Sequence, residues 1–240
     1  MNSRTVLGTA FLLGALLCLG LFGLGAIVVR GVLTAKSLER TVTVKGLSER
    51  EVPADVAIWP IRFSEAADDL VTLYAALEKN DARVIEFLRS RGFGDAEISV
   101  APPSIVDREA QGYGRDQGPR FRYTATSTLT VYSKQVDRVR AAMNDLAQLG
   151  KQGIALSGQE YEARTQFLFT DLNALKPAMV EEATRNAREV ASRFAKDSES
   201  TLGKIRSASQ GQFSIEDRDS NTPYVKKVRV VSTVEYYLSD

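Results

Sequence analysis

The chain contains no histidine and a single cysteine, so any acid–base or metal chemistry falls to carboxylates, lysines and tyrosines. Asp217, Asp219 and Asn221 stand at alternate positions, as in the opening of a calcium loop. Such a loop needs glycine at its sixth position and a bidentate glutamate beyond it. Here Thr222 and Pro223 take the first place, and Lys227, Val228 and Arg229 the second. The run reads as a polar hairpin turn. Glu160, Glu162 and Arg164 alternate along an extended segment; paired carboxylates do acid–base work only when burial shifts them, and an exposed strand face is the simpler reading. Lys226, Lys227 and Arg229 could meet phosphate or lipid headgroups, but a solvated strand edge that discourages aggregation explains them as well. Tyr113, Tyr123 and Tyr132 flank a glycine-rich loop and read as core and cross-strand partners. The Gly112-Tyr113-Gly114 triplet precedes no helix, which removes a phosphate cradle. No catalytic, cofactor-binding or metal residue is assigned, and no cofactor is expected.

The elements that would hold these residues are legible from periodicity. Residues 41–44 read as a short β-branched strand and 46–49 as a turn. A second strand, 52–64, carries Pro53 and Pro60, which predicts an edge strand or a bulge. Residues 68–91 form a helix with Leu70, Leu73, Tyr74, Leu77, Val84, Ile85 and Leu88 inward and Gly92 as its stop. A strand over 98–108 is interrupted at Pro102-Pro103, and 109–119 is a polar loop. The strand 121–132 leads through Ser133 into a helix over 134–149. Residues 154–169 are extended, and 175–196 form the longest helix, with Pro177 in its first turn. Its stripe of Met179, Ala183, Ala187, Val190, Ala191 and Phe194 lets it lie close on a sheet. Strands over 205–215 and 225–238 close the chain. The order β-β-α-β-β-α-β-α-β-β is an α+β fold, with helices packed on antiparallel or mixed sheets.

Ahead of this domain, residues 5–29 carry no charge and are bracketed by Arg4 and Arg30. That is long enough to span a bilayer, which takes roughly 20 residues, and too long for the usual cleaved signal. The organisation expected is a short tail over 1–5, an uncleaved anchor over 6–29, a linker over 30–39 and a domain over 40–240. Cys18 follows Leu17 where a lipoprotein site needs a small residue, so it reads as a small apolar residue facing lipid. A short tail before the span is the layout of a signal anchor, placing the domain outside the cytoplasm. With 31 basic and 30 acidic residues there is no field that favours nucleic acid.

Three stretches carry a family resemblance: "VTVKGLSEREVPADVAIW", the alanine-rich "KPAMVEEATRNAREVASRFAKDSESTLGKI", and "QGQFSIEDRDSNTPYVKKVRVVSTVEYYL". Together they resemble the SIMPL domain family over about residues 40–240. The resemblance implies an α+β domain of bacterial periplasmic and envelope proteins, some linked to oxidative-stress defence, one similar to a ring-shaped homo-oligomer. It implies no catalytic residue. The expectation is a non-enzymatic domain in the periplasm, anchored in the bacterial inner membrane, that self-associates or binds an envelope partner. Two alternatives stand beside it: an enzyme using Glu160, Glu162 and Asp217, and a ligand-binding module with Gly112–Pro119 as a lid.

Overall fold

A computed structural model describes residues 3–37, 40–110, 121–157 and 164–239. The fold is α+β, as expected. Its elements are helix α1 (Ser3–Ser37), strands β1 (Thr41–Pro53) and β2 (Val56–Ala67), helix α2 (Leu70–Ser90), strands β3 (Ile98–Val100), β4 (Ser104–Asp107) and β5 (Tyr123–Ser133), helices α3 (Val136–Asn144) and α4 (Ala147–Lys151), strands β6 (Leu156–Ser157) and β7 (Gln166–Leu168), helix α5 (Leu172–Asp197), and strands β8 (Thr201–Gln210), β9 (Ser214–Asp217) and β10 (Val225–Ser239). Within α1, Leu16–Leu33 is apolar enough and long enough to cross a membrane. The chain divides into two compact units. The first is Met1–Glu49, Lys176–Phe213 and Arg229–Asp240; the second is Arg50–Leu175 and Ser214–Val228.

In the second unit β2 is a central strand, not the edge expected from its prolines. It pairs antiparallel with β5 in unbroken register from Ala57↔Ser133 to Ala67↔Tyr123. On its other side β7 pairs Val56–Ile58 and β6 pairs Arg62 and Phe63. Ser64 donates its N–H to Ala155 on that side, so by two-residue alternation position 60 faces the same way. Among the described residues no strand pairs with Pro60 on that side, so its missing N–H breaks no ladder bond described. The core-facing residues Trp59, Ile61, Phe63, Leu129 and Val131 pack under α2, which contributes Leu73, Leu77, Val84 and Leu88. Leu70 and Tyr74, expected inward, are exposed. Asp69 caps α2 by accepting from the Thr72 N–H at 2.8 Å, and Gly92 leaves it with φ +85°. The helix expected over 134–149 is broken into α3 and α4.

In the first unit α5 lies across the sheet β1–β10–β8. The turn expected at 46–49 does not form, and β1 runs through it as one strand. Gly46 is needed for a different reason. A Cβ there would run into the Ala183 carbonyl and stand 2.9 Å from the Ala187 Cβ. The alanine face of α5 is Met179, Ala183, Ala187, Ala191 and Ala195, all buried; Val190 and Phe194 are not part of it. The helix starts three residues earlier than periodicity predicts. Asp55 accepts from the Thr170 and Asp171 N–H groups at 2.8–3.0 Å just before it, a cap supplied by a distant residue. Pro177 is consequently inside the helix and leaves the Asn173 carbonyl without its bond. The helix ends without glycine: Glu199 takes φ +53°, the Glu199 N–H donates to Lys196 and the Ser200 N–H to Ala195.

Substituting Gly46→Ala is expected to lower unfolding free energy by about 1–3 kcal/mol or more, since backbone on the facing helix cannot yield to the added methyl. Thermal or denaturant unfolding of the full chain, against Gly150→Ala where a Cβ meets nothing within 4 Å, checks it.

Candidate functional site

The 217–222 run is built as a turn whose acceptors are occupied from within. The Asp219 carboxylate accepts from the Asn221 and Thr222 N–H groups, each at 2.8 Å, from the Thr222 hydroxyl, and from Arg218 Nε at 3.1 Å. The Thr222 and Arg218 contacts hold its pKa down to about 2. Arg218 also reaches Glu51 at 3.4 Å. Both Asp219 oxygens are thus spoken for by the loop. Among the described residues no group of three or more His, Cys, Asp or Glu side chains is placed to hold a metal ion.

Asp217, next door, points elsewhere and pairs with the Lys226 ammonium. The sequence reading of Lys226 as one of a solvated basic row is corrected here: only 7% of the residue is exposed. Alternation along β10 puts Lys226 on the buried side, while Lys227 and Arg229 take the other. Asp217 and Lys226 line a cleft of about 310 Å³ with Arg164, Thr165, Gln166, Phe167, Leu168 and Pro223. Tyr224 forms part of its support, edge-on to Phe167 at 6.1 Å and under the Arg140 guanidinium at 3.5 Å.

The other expected groups do not converge. Glu160, Glu162, Tyr113 and the Gly112–Pro119 segment lie outside the described residues, and Arg164 is exposed. Tyr123 and Tyr132 are nine residues apart on β5, hence on opposite faces and about 30 Å from each other. Tyr123 is half-buried under Arg122, at 4.9 Å, and Tyr132 is exposed. Cys18 is a free, exposed thiol within α1.

Sequence reasoning missed two features. One is a polar cluster between α2 and the sheet: Asn80 is bonded to Glu65, and Ser127 donates to Asp81 at 2.7 Å. Burial pushes the Asp81 pKa up, against the Ser127 bond, and Glu78 adds to the rise. The Ser127 bond ties α2 to β5. An i→i+3 position within an amphipathic helix gave no sign of this.

The second is β8. Nine of its ten residues are exposed, so it has almost no helix beneath it. Among the described residues β10 is its one strand neighbour. Gly211 donates to the Val231 carbonyl at 2.8 Å, and the register pairs Ser209 with Thr233 and Ser207 with Glu235. The alternate N–H groups, at Ala208 and Gln210, therefore point away from β10. Arg206 is committed to Glu235 at 2.9 Å, leaving Ser207–Gln210 uncharged along that edge. Closer to α5, Gly203, Lys204 and Ile205 form a groove of about 530 Å³ with Arg185, Arg188 and Tyr236.

Compared with known proteins, residues 42–236 match the family model described as "SIMPL: Protein of unknown function (DUF541)". No curated protein matches the chain.

Two outcomes are expected. Asp219 is held below its ordinary value, so the stabilisation it lends the turn is present above about pH 4 and is lost as pH falls toward about 2. The Thr222 amide shift and exchange rate, followed by NMR, should move through that window and not above it. Asp217→Asn, which strands the buried ammonium, is expected to cost about 1–3 kcal/mol, whereas Lys226→Met, which leaves a carboxylate open to water, is nearly neutral. Chemical unfolding of both variants reads the asymmetry.

Proposed function

The chain belongs to the SIMPL family, and on that premise we propose that it is a non-enzymatic, single-pass membrane protein whose domain lies outside the cytoplasm and self-associates through β8. The anchor is the apolar helix, residues 6–29 in the sequence reading, which is of a length to span a bilayer. The inner membrane as its location and the periplasm as the facing compartment rest on the family resemblance. A part in oxidative-stress defence rests on that resemblance alone.

The observation that carries the reading is the edge of β8 with which no described strand pairs. Natural sheets guard long edge strands with charges, prolines or bulges, because unpaired N–H and C=O groups template further pairing. Lys204 guards one end of β8, and the register is irregular between Ser207 and Ile205. From Ser207 to Gln210 the edge is regular, uncharged and small-chained. A second copy offers the same strand, so two β8 edges can pair antiparallel about a two-fold axis, each supplying the donors the other lacks. An envelope protein with a free strand is the other occupant.

Crosslinking with mass spectrometry on native membranes should recover β8–β8 crosslinks between copies. Ala208→Pro removes an outward N–H that β10 does not use, so it should abolish those crosslinks while leaving the melting temperature within a few degrees. Crosslinks from β8 to another protein would replace self-association by partner binding. A strictly monomeric, partnerless wild type would end both.

A further inference from the structure

The end of the first unit that carries the β1 start is tethered close to the bilayer. Leu33 closes the apolar window of α1, and Ser37 lies about 6 Å further along the helix, within a headgroup layer of roughly 5–7 Å. The chain is in the sheet again at Thr41, four residues on, a reach of at most about 14 Å. Arg40 binds into this end twice: its carbonyl accepts from the Leu238 N–H at 2.8 Å, and its guanidinium donates to Ser200 Oγ at 3.2 Å. Ser200 immediately follows the left-handed turn that ends α5, and Thr201 pairs with Ser239. The start of β1, the finish of β10, the start of β8 and the last turns of α5 therefore share one end of the unit.

What α5 displays changes toward that end. Glu182, Asn186, Val190 and Phe194 form a row at four-residue spacing. The first two face β1: Glu182 accepts from Ser48 Oγ at 2.9 Å, and Asn186 donates to the Leu47 carbonyl at 2.8 Å. The last two are apolar and open, with Phe194 57% exposed one turn from the helix end. Arg193 and Lys196 lie beside Phe194 in the sequence, and Asp197 is its neighbour one turn on. An exposed apolar pair on a helix end held near a bilayer suits an interfacial contact.

We propose that the Val190–Phe194 end of α5 rests in the headgroup layer of the same bilayer that α1 spans, with Arg193 and Lys196 within reach of lipid phosphates, so that the first unit is docked on the membrane and not merely tethered to it. The inference rests on the reading of α1 as a membrane span. The occupant is a lipid surface because the tether brings that end within reach of one whatever else the domain binds.

Bromine-labelled lipids test it on the full chain in nanodiscs. The chain has one tryptophan, Trp59, buried in the second unit, which sets the baseline. Phe194→Trp and, as a control in the span, Phe22→Trp each add an indole at an exposed position. Quenching and a blue shift of the indole at position 194 by lipids brominated near the top of the acyl chain, together with quenching at position 22, is the expected result. Quenching at 22 with none at 194 overturns the docking while the span stands. Quenching at neither overturns the span and the docking with it. Val190→Trp, one turn farther from the helix end, serves if the Phe194 variant fails to fold, and quenching there is read in the same way.

Discussion

The first unit depends on how closely α5 can approach β1. Gly46 has no side chain, and the helix face above it is a run of alanines, so backbone meets backbone where most helix–sheet pairs keep two side chains between them. That approach leaves little apolar volume: Val44, Ala187, Ala191, Val234 and Tyr236 make up the compact core there. A core this thin stabilises by contact and not by bulk, which is why Glu182 and Asn186 also bond across to β1. It also leaves β8 exposed from Gly203 to Gln210, with only Leu202 packed against the core.

The second unit is organised differently. Its sheet is covered by α2 with large side chains, Phe63, Leu73, Leu88 and Leu129 among them, and it holds buried polar groups in pairs at two places. Asp81 with Ser127, and Lys226 with Asp217, are such pairs. Groups that look reactive in a sequence are used here to hold elements together. The same accounting explains the 217–222 turn, whose Asp219 carboxylate is bonded within the turn itself.

Much of the architecture was open to periodicity. The long helices, the β5 strand, the Gly92 stop and the alanine stripe follow from local spacing, which tertiary contacts did not override. Departures arose where a distant residue decided a local outcome. Asp55 supplies the cap that starts α5 early, so Pro177 falls inside the helix; Pro60 is tolerated in a central strand because the described ladders of β6 and β7 do not include it. Gly46 marks a close approach instead of a turn, and a glycine's two uses cannot be told apart from its neighbours in sequence.

By itself the sequence determined the apolar helix, the fold class and the family, since each depends on composition or on patterns a few residues long. It also excluded histidine chemistry outright. Burial and edges were decided only by the tertiary structure. Whether Lys226 meets water or Asp217, and whether Ala208 points its N–H at a partner strand or away from one, depends on which strands lie alongside. Phe194 belongs to the same class: its spacing suits a core position, and only the placement of β1 and the end of α5 leaves it bare. Pairing between segments far apart in the chain settles such questions, and no local pattern encodes it.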